Sequence, residues 1–117
     1  MNTIGTQKVT NLQYLVSLSE GNTAFVKNMI QAFLLEVPGE IAGIEKGIEM
    51  RDHDLIISSS HRMKSTIPFV GIDAMIGEEV SKIEQLAKQN VDVDEIKILF
   101  NKVKEVCSRA VAELSAA

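Results

Sequence analysis

The sequence predicts an all-α fold: an antiparallel up-down-up-down four-helix bundle preceded by a short N-terminal helix. Three observations carry this expectation. Ala, Ile, Leu, Val, Met, Glu and Lys dominate, while only 4% of residues are aromatic and Trp is missing, a balance that favours helices over sheet. Apolar residues recur at steps of three and four through most of the chain, the period of an amphipathic helix. The polar connections between these stretches are short, which makes sequential helices antiparallel neighbours. With 117 residues, 45% of them hydrophobic, one domain spanning 1–117 can bury a core without metal or disulfide support.

Each element has its own signals. Thr10 followed by Gln13 reads as a capping box, and Leu12, Leu15 and Leu18 form a stripe before Gly21, giving a short helix at about 10–19. Asn22 caps the next, at about 23–50, where Val26, Ile30, Phe33, Val37, Ile41, Ile44 and Ile48 hold the helical step. Pro38 lies inside it, so a bend is expected there, and Gly39, Gly43 and Gly47 weaken its second half. Asp52 or Asp54 caps a third helix at about 53–70, stopped by Gly71. Asp73 caps a fourth at about 74–89, with Ile76, Val80, Ile83, Leu86 and Ala87 inward and Asn90 as its stop. Asp92 and Glu95 open a fifth at about 93–115, carried by Ile96, Leu99, Phe100, Val103, Val106, Cys107, Ala110 and Leu114.

Composition narrows the function classes. Formal net charge is −4 with both signs interspersed, so no basic footprint for nucleic acid or an anionic membrane surface is expected. No run approaches a membrane span and the first residues lack an apolar signal core, pointing to a cytoplasmic protein. Cys107 is the one cysteine, which excludes an internal disulfide. It shares a stripe with Phe100, Val103 and Ala110, a buried position and not that of a nucleophile. Metal chemistry inside a bundle needs Glu-x-x-His pairs, and the residue three before His61 is Ser58. His53, between Asp52 and Asp54, reads as a solvated turn residue. Lys82, Lys88, Lys97, Lys102 and Lys104 read as solvated faces.

The informative stretch is Ser58-Ser59-Ser60-His61-Arg62-Met63-Lys64-Ser65-Thr66-Ile67-Pro68-Phe69-Val70-Gly71. At about 100° per residue, Ile56, Met63, Ile67 and Val70 share the core side, and His61 points roughly 150° away from it. The imidazole is therefore expected in solvent. The same geometry puts Lys64 one turn on with Ser65 beside it, Ser58 one turn back, and Ile57 and Pro68 on the flanks. A ring nitrogen that attacks a phosphoryl group uses each of these. Neutral imidazole presents a lone pair near neutral pH, and Lys64 offsets charge on the transferred oxygens. Ser65 leaves room for a partner, and Ile57 and Pro68 offer it an apolar surface. Phe25 and Met29, one turn apart at the edge of the second helix's stripe, are further candidate partner contacts, or else fill the junction with the first helix.

The run His61-Arg62-Met63-Lys64-Ser65-Thr66 closely resembles the phosphoacceptor motif of histidine-containing phosphotransfer (HPt) domains, commonly His-x-Leu-Lys-Gly-Ser. The order and length of the helices from about Thr10 to Leu114 resemble that family too, as do the segment from Gly21 to Ile30 and the stop at Gly71. Met63 replaces the usual Leu, a volume-conserving change, and Ser65 replaces the usual Gly, adding a hydroxyl near the imidazole. The resemblance implies a cytoplasmic, monomeric phosphorelay carrier and not an enzyme. His61 is then the phosphoacceptor, Lys64 the charge-stabilising residue and Ser65 the small neighbour. The implied partners are response-regulator receiver domains and the receiver domain of a hybrid histidine kinase. The chain itself would need no cofactor, since catalysis and Mg²⁺ come from the receiver, and no glycine-rich phosphate loop occurs in the sequence. The alternative is a helical adaptor that binds a receiver or other signalling partner through the same patch without being phosphorylated. A histidine kinase dimerisation domain, which also exposes a helical histidine, is expected to be followed by an ATP-binding domain.

Overall fold

The computed structural model describes residues 8–115, and the described residues are all-helical with no strand. Five α-helices occur in order: α1 Gln13–Ser19, α2 Thr23–Met50, α3 His53–Thr66, α4 Asp73–Lys88 and α5 Val93–Ser115, with a 3-10 turn at Ile67–Val70 between α3 and α4. α2 packs on α3, α3 on α4, α4 on α5, and α5 returns to α2, while α1 lies against α2 and the 3-10 turn. No helix among the described residues is long and apolar enough to cross a membrane.

The core is built from the predicted stripes. Phe33, Val37 and Ile44 of α2 meet Ile56 and Met63 of α3, Ile76, Val80 and Ile83 of α4, and Ile96, Phe100 and Val103 of α5, all buried. Each such side chain stabilises the fold by about 1.5–3 kcal/mol through loss of apolar contact with water. Cys107 is buried among them, and burial first, then the neighbouring Glu40, pushes its thiol pKa up to about 12. That is incompatible with a nucleophile at neutral pH.

Several helix ends form as their sequences predict. Asn22 accepts a hydrogen bond from the Phe25 N–H at 3.1 Å, and Asp52 accepts one from the Leu55 N–H at 3.1 Å. Asp92 also caps its helix, but through the Asp94 N–H at 2.9 Å, while the Glu95 N–H bonds the Asp92 main-chain carbonyl at 3.1 Å in place of the side-chain bond of a capping box. Asn90 adopts a left-handed φ of 58° just beyond α4, as expected of a stop residue. α2 runs unbroken through Pro38.

Elsewhere the structure corrects the sequence reading. Thr10 does not cap α1: the helix starts at Gln13, and Thr10 Oγ1 donates to Glu113 Oε1 of α5 at 2.7 Å. Glu113 also accepts the Val9 N–H at 2.8 Å and the Thr10 N–H at 3.1 Å, so a carboxylate distant in sequence outcompetes the local box. Asp73 does not cap α4 but is its first residue, because the N–H groups of Ala74, Met75 and Ile76 bond to the carbonyls of Gly71 and Ile72. The third helix does not stay α-helical to Val70. Pro68 lacks an N–H, and the segment tightens into the 3-10 turn, which ends where Gly71 takes φ 78° with its N–H on the Pro68 carbonyl. His53 is half-buried and not merely solvated: its Nε2 lies 2.7 Å from the Val91 carbonyl, which requires that nitrogen to be the protonated one.

Gly43 and Gly47 weaken the propensity of α2 but let α3 approach it closely. A Cβ on Gly47 would stand 2.6 Å from Ile56 Cγ1, and one on Gly43 would collide with Ser59 Oγ. Glu40, one further turn back, meets Thr66. These three contacts run in opposite directions along the two helices and fix the register of α3, and with it the outward direction of His61.

Candidate functional site

His61 sits in the middle of α3 with its core neighbours Ile56 and Met63 fully buried, and its own side chain is 69% exposed. The exposure follows from the helical phase of the motif. The ring is nonetheless held: Nδ1 lies 2.9 Å from Oε2 of Glu84 on α4. Lys64, one turn along α3, donates to the other oxygen of the same carboxylate, Oε1, at 3.0 Å. Lys88, one turn further along α4 from Glu84, lies 3.2 Å from Oε2. One buried carboxylate thus gathers an imidazole and two ammonium groups from two helices.

Glu84 is 4% exposed. Burial alone would raise its pKa, but hydrogen bonds from Lys64, Lys88 and His61 outweigh that and hold it at about 2. A carboxylate ionised at every physiological pH only accepts hydrogen bonds. His61 Nδ1 therefore carries the ring proton, and when the ring is neutral Nε2 presents its lone pair on the side away from Glu84. The geometry supplies a fixed tautomer with the free nitrogen in solvent and cations close by, as a nucleophilic histidine requires. The lysines are about half exposed, so either ion pair alone contributes little to stability, about 0.2–1 kcal/mol. Their location matters more than that energy.

The other predicted residues fall around this centre. Ser65 is exposed beside Lys64, and Ser58 is exposed one turn before His61. Ile57 is half-buried against the core, and Pro68 is half-buried in the 3-10 turn, where it lines a cleft with Asn11, Tyr14 and Asp73. Phe25 and Met29 are half-buried in the first turns of α2. Since Glu40 of α2 is the residue that meets Thr66, Met29 lies about 16 Å further along the helix axis at 1.5 Å per residue. The structure thus brings Lys64 to His61 and leaves Phe25 and Met29 at a distance from them.

Two working groups were not anticipated. Lys88 reads in sequence as a solvated lysine, and Glu84 carries no signal in the motif around His61. The available signal was a glutamate within the α4 stripe, one helical turn after Val80 and beside Ile83, where an unpaired charge would be costly. Glu40 gives the same signal between Val37 and Ile44. It is buried, with Oε2 accepting from Thr66 Oγ1 at 2.8 Å and Oε1 without a partner. Burial raises its pKa, against smaller lowering effects from Thr66 and Arg62.

Among the described residues no cluster of three His, Cys, Asp or Glu side chains can hold a metal ion. Compared with known proteins, the chain matches no family model, no curated protein and no solved structure.

Proposed function

We propose that this chain is a phosphorelay carrier that takes a phosphoryl group on His61 from the aspartyl phosphate of one receiver domain and passes it reversibly to another. The observation that carries the reading is the exposed imidazole whose Nδ1 is tied to an ionised, buried Glu84 while Lys64 shares that carboxylate. The resemblance of His61-Arg62-Met63-Lys64-Ser65-Thr66 to the HPt motif points the same way.

In the transfer step the Nε2 lone pair forms the N–P bond as the P–O bond to the receiver's aspartate breaks, and the electron pair leaves with that carboxylate. The Nδ1 proton stays in place, so the phosphorylated ring is cationic, and Glu84 faces that developing charge. Lys64 reaches the phosphoryl oxygens. Mg²⁺ and the catalytic groups belong to the receiver, and the chain is a carrier and not an enzyme. In the finer architecture of this reading, α2 to α5 form an up-down-up-down four-helix bundle with α1 as a preceding short helix. The protein is cytoplasmic and monomeric, and the receiver docks over Ser65, Ile57 and Pro68. Phe25 and Met29 fall within a standard interface of about 800 Å² per partner only if it extends along α2.

The test is incubation with phosphorylated receiver domains, including that of a hybrid kinase. The expected result is acid-labile, alkali-stable phosphate on the wild type and none on His61→Gln. A correctly folded wild type that takes no label from any receiver, yet binds one, identifies a non-phosphorylated adaptor instead.

A further inference from the structure

Resting on the phosphorelay reading above, we infer that Lys88 is a second phosphoryl-binding cation, delivered from α4 to complete with Lys64 a two-lysine cradle for the group on His61. Lys88 Nζ lies 3.2 Å from Glu84 Oε2, the same oxygen that stands 2.9 Å from His61 Nδ1. The ammonium is therefore separated from the ring by a single shared atom. Lys64 approaches from the other side, on Oε1. Both lysine side chains are long and about half exposed, so each can swing from the carboxylate to a phosphoryl oxygen without dragging its helix.

The charge balance explains why two lysines are present. Glu84 needs one cation to be neutralised, and it holds two. With a neutral imidazole the empty site carries one net positive charge. When Nε2 takes the phosphoryl group and Nδ1 keeps its proton, the ring and its dianionic phosphoryl together carry one net negative charge, and the loaded site is neutral. Without Lys88 the site would be neutral when empty and negative when loaded, which disfavours loading. An exposed lysine in the last turn of a helix also interacts favourably with the helix dipole. That role does not require its ammonium to lie over the carboxylate a turn back, toward the histidine.

The test loads the full chain with phosphoramidate, which releases ammonia as it hands its phosphoryl group to an imidazole and needs no receiver. The decay of the phosphohistidine ³¹P signal is then followed in wild type, Lys88→Gln and Lys88→Arg, with circular dichroism to confirm the fold. The expected result is a half-life shortened about fivefold in Lys88→Gln at low salt and restored in Lys88→Arg, with the difference shrinking as added salt screens the charge. Equal half-lives in wild type and Lys88→Gln overturn the role of Lys88 while leaving His61 as carrier. A folded wild type that takes no label at His61 removes the phosphorelay reading itself, and this inference with it.

Discussion

Glu84 does two jobs at the residue scale, one for the imidazole and one for the lysines. It fixes the proton on His61 Nδ1 and it collects Lys64 and Lys88. An imidazole without a partner on Nδ1 carries its proton mostly on Nε2, the nitrogen that the proposed transfer needs free to attack. Glu84→Ala is therefore expected to change the ring ¹⁵N spectrum from an Nδ1–H to a largely Nε2–H pattern, and to slow phosphoryl acceptance about tenfold to hundredfold. An unchanged ¹⁵N pattern would show that the carboxylate does not set the tautomer. Because the folded Glu84 pKa, about 2, is below its ordinary value of 4.5, its stabilisation is present above pH 4.5 and is lost as pH falls toward 2.

The site depends on the α2–α3 contact at the scale of elements, since that contact sets which way α3 turns His61. Gly47 is the sensitive point. In an exposed helix Gly→Ala stabilises by about 1 kcal/mol, but here the added methyl meets Ile56 Cγ1 at 2.6 Å and the Asp52 carbonyl at 3.0 Å. Gly47→Ala is expected to destabilise by about 1–3 kcal/mol in urea unfolding. A stabilised variant would show that α2 and α3 do not pack this closely. The helices themselves were largely legible in sequence, because long stripes such as Phe33 to Ile48 and Ile96 to Ala110 leave few alternatives. The ends were legible where the cap is local, as at Asn22 and Asp52. They were not where a distant group decided, as when Glu113 drew Thr10 away from α1 or when turn carbonyls replaced Asp73.

Over the whole molecule the chain places two glutamates within its buried faces, and their surroundings treat them oppositely. Glu84 finds three donors and stays ionised, whereas Glu40 has Thr66 on one oxygen and nothing on the other, and burial raises its pKa. A carboxyl with a raised folded pKa costs stability once the unfolded chain can ionise it, so this contribution worsens as pH rises above 4.5 through the folded value. Glu40→Gln keeps an acceptor for Thr66 and removes the ionisation. Denaturant unfolding at pH 5 and pH 8 is expected to show a smaller loss of stability with rising pH in Glu40→Gln than in the wild type. Identical slopes would mean that Glu40 reaches solvent. His61 and Lys64 of the candidate site were readable from one helical turn of sequence, but the carboxylate that gathers them comes from another helix. Residue spacing along α3 alone could not reveal it.

The most direct check on the carrier assignment is the position of the phosphorus atom on the ring. Two-dimensional ¹H–³¹P correlation of the loaded wild-type protein should place it on Nε2 of His61, with Nδ1 still bearing its proton toward Glu84. Phosphorus on Nδ1, or on a residue other than His61, would contradict the account.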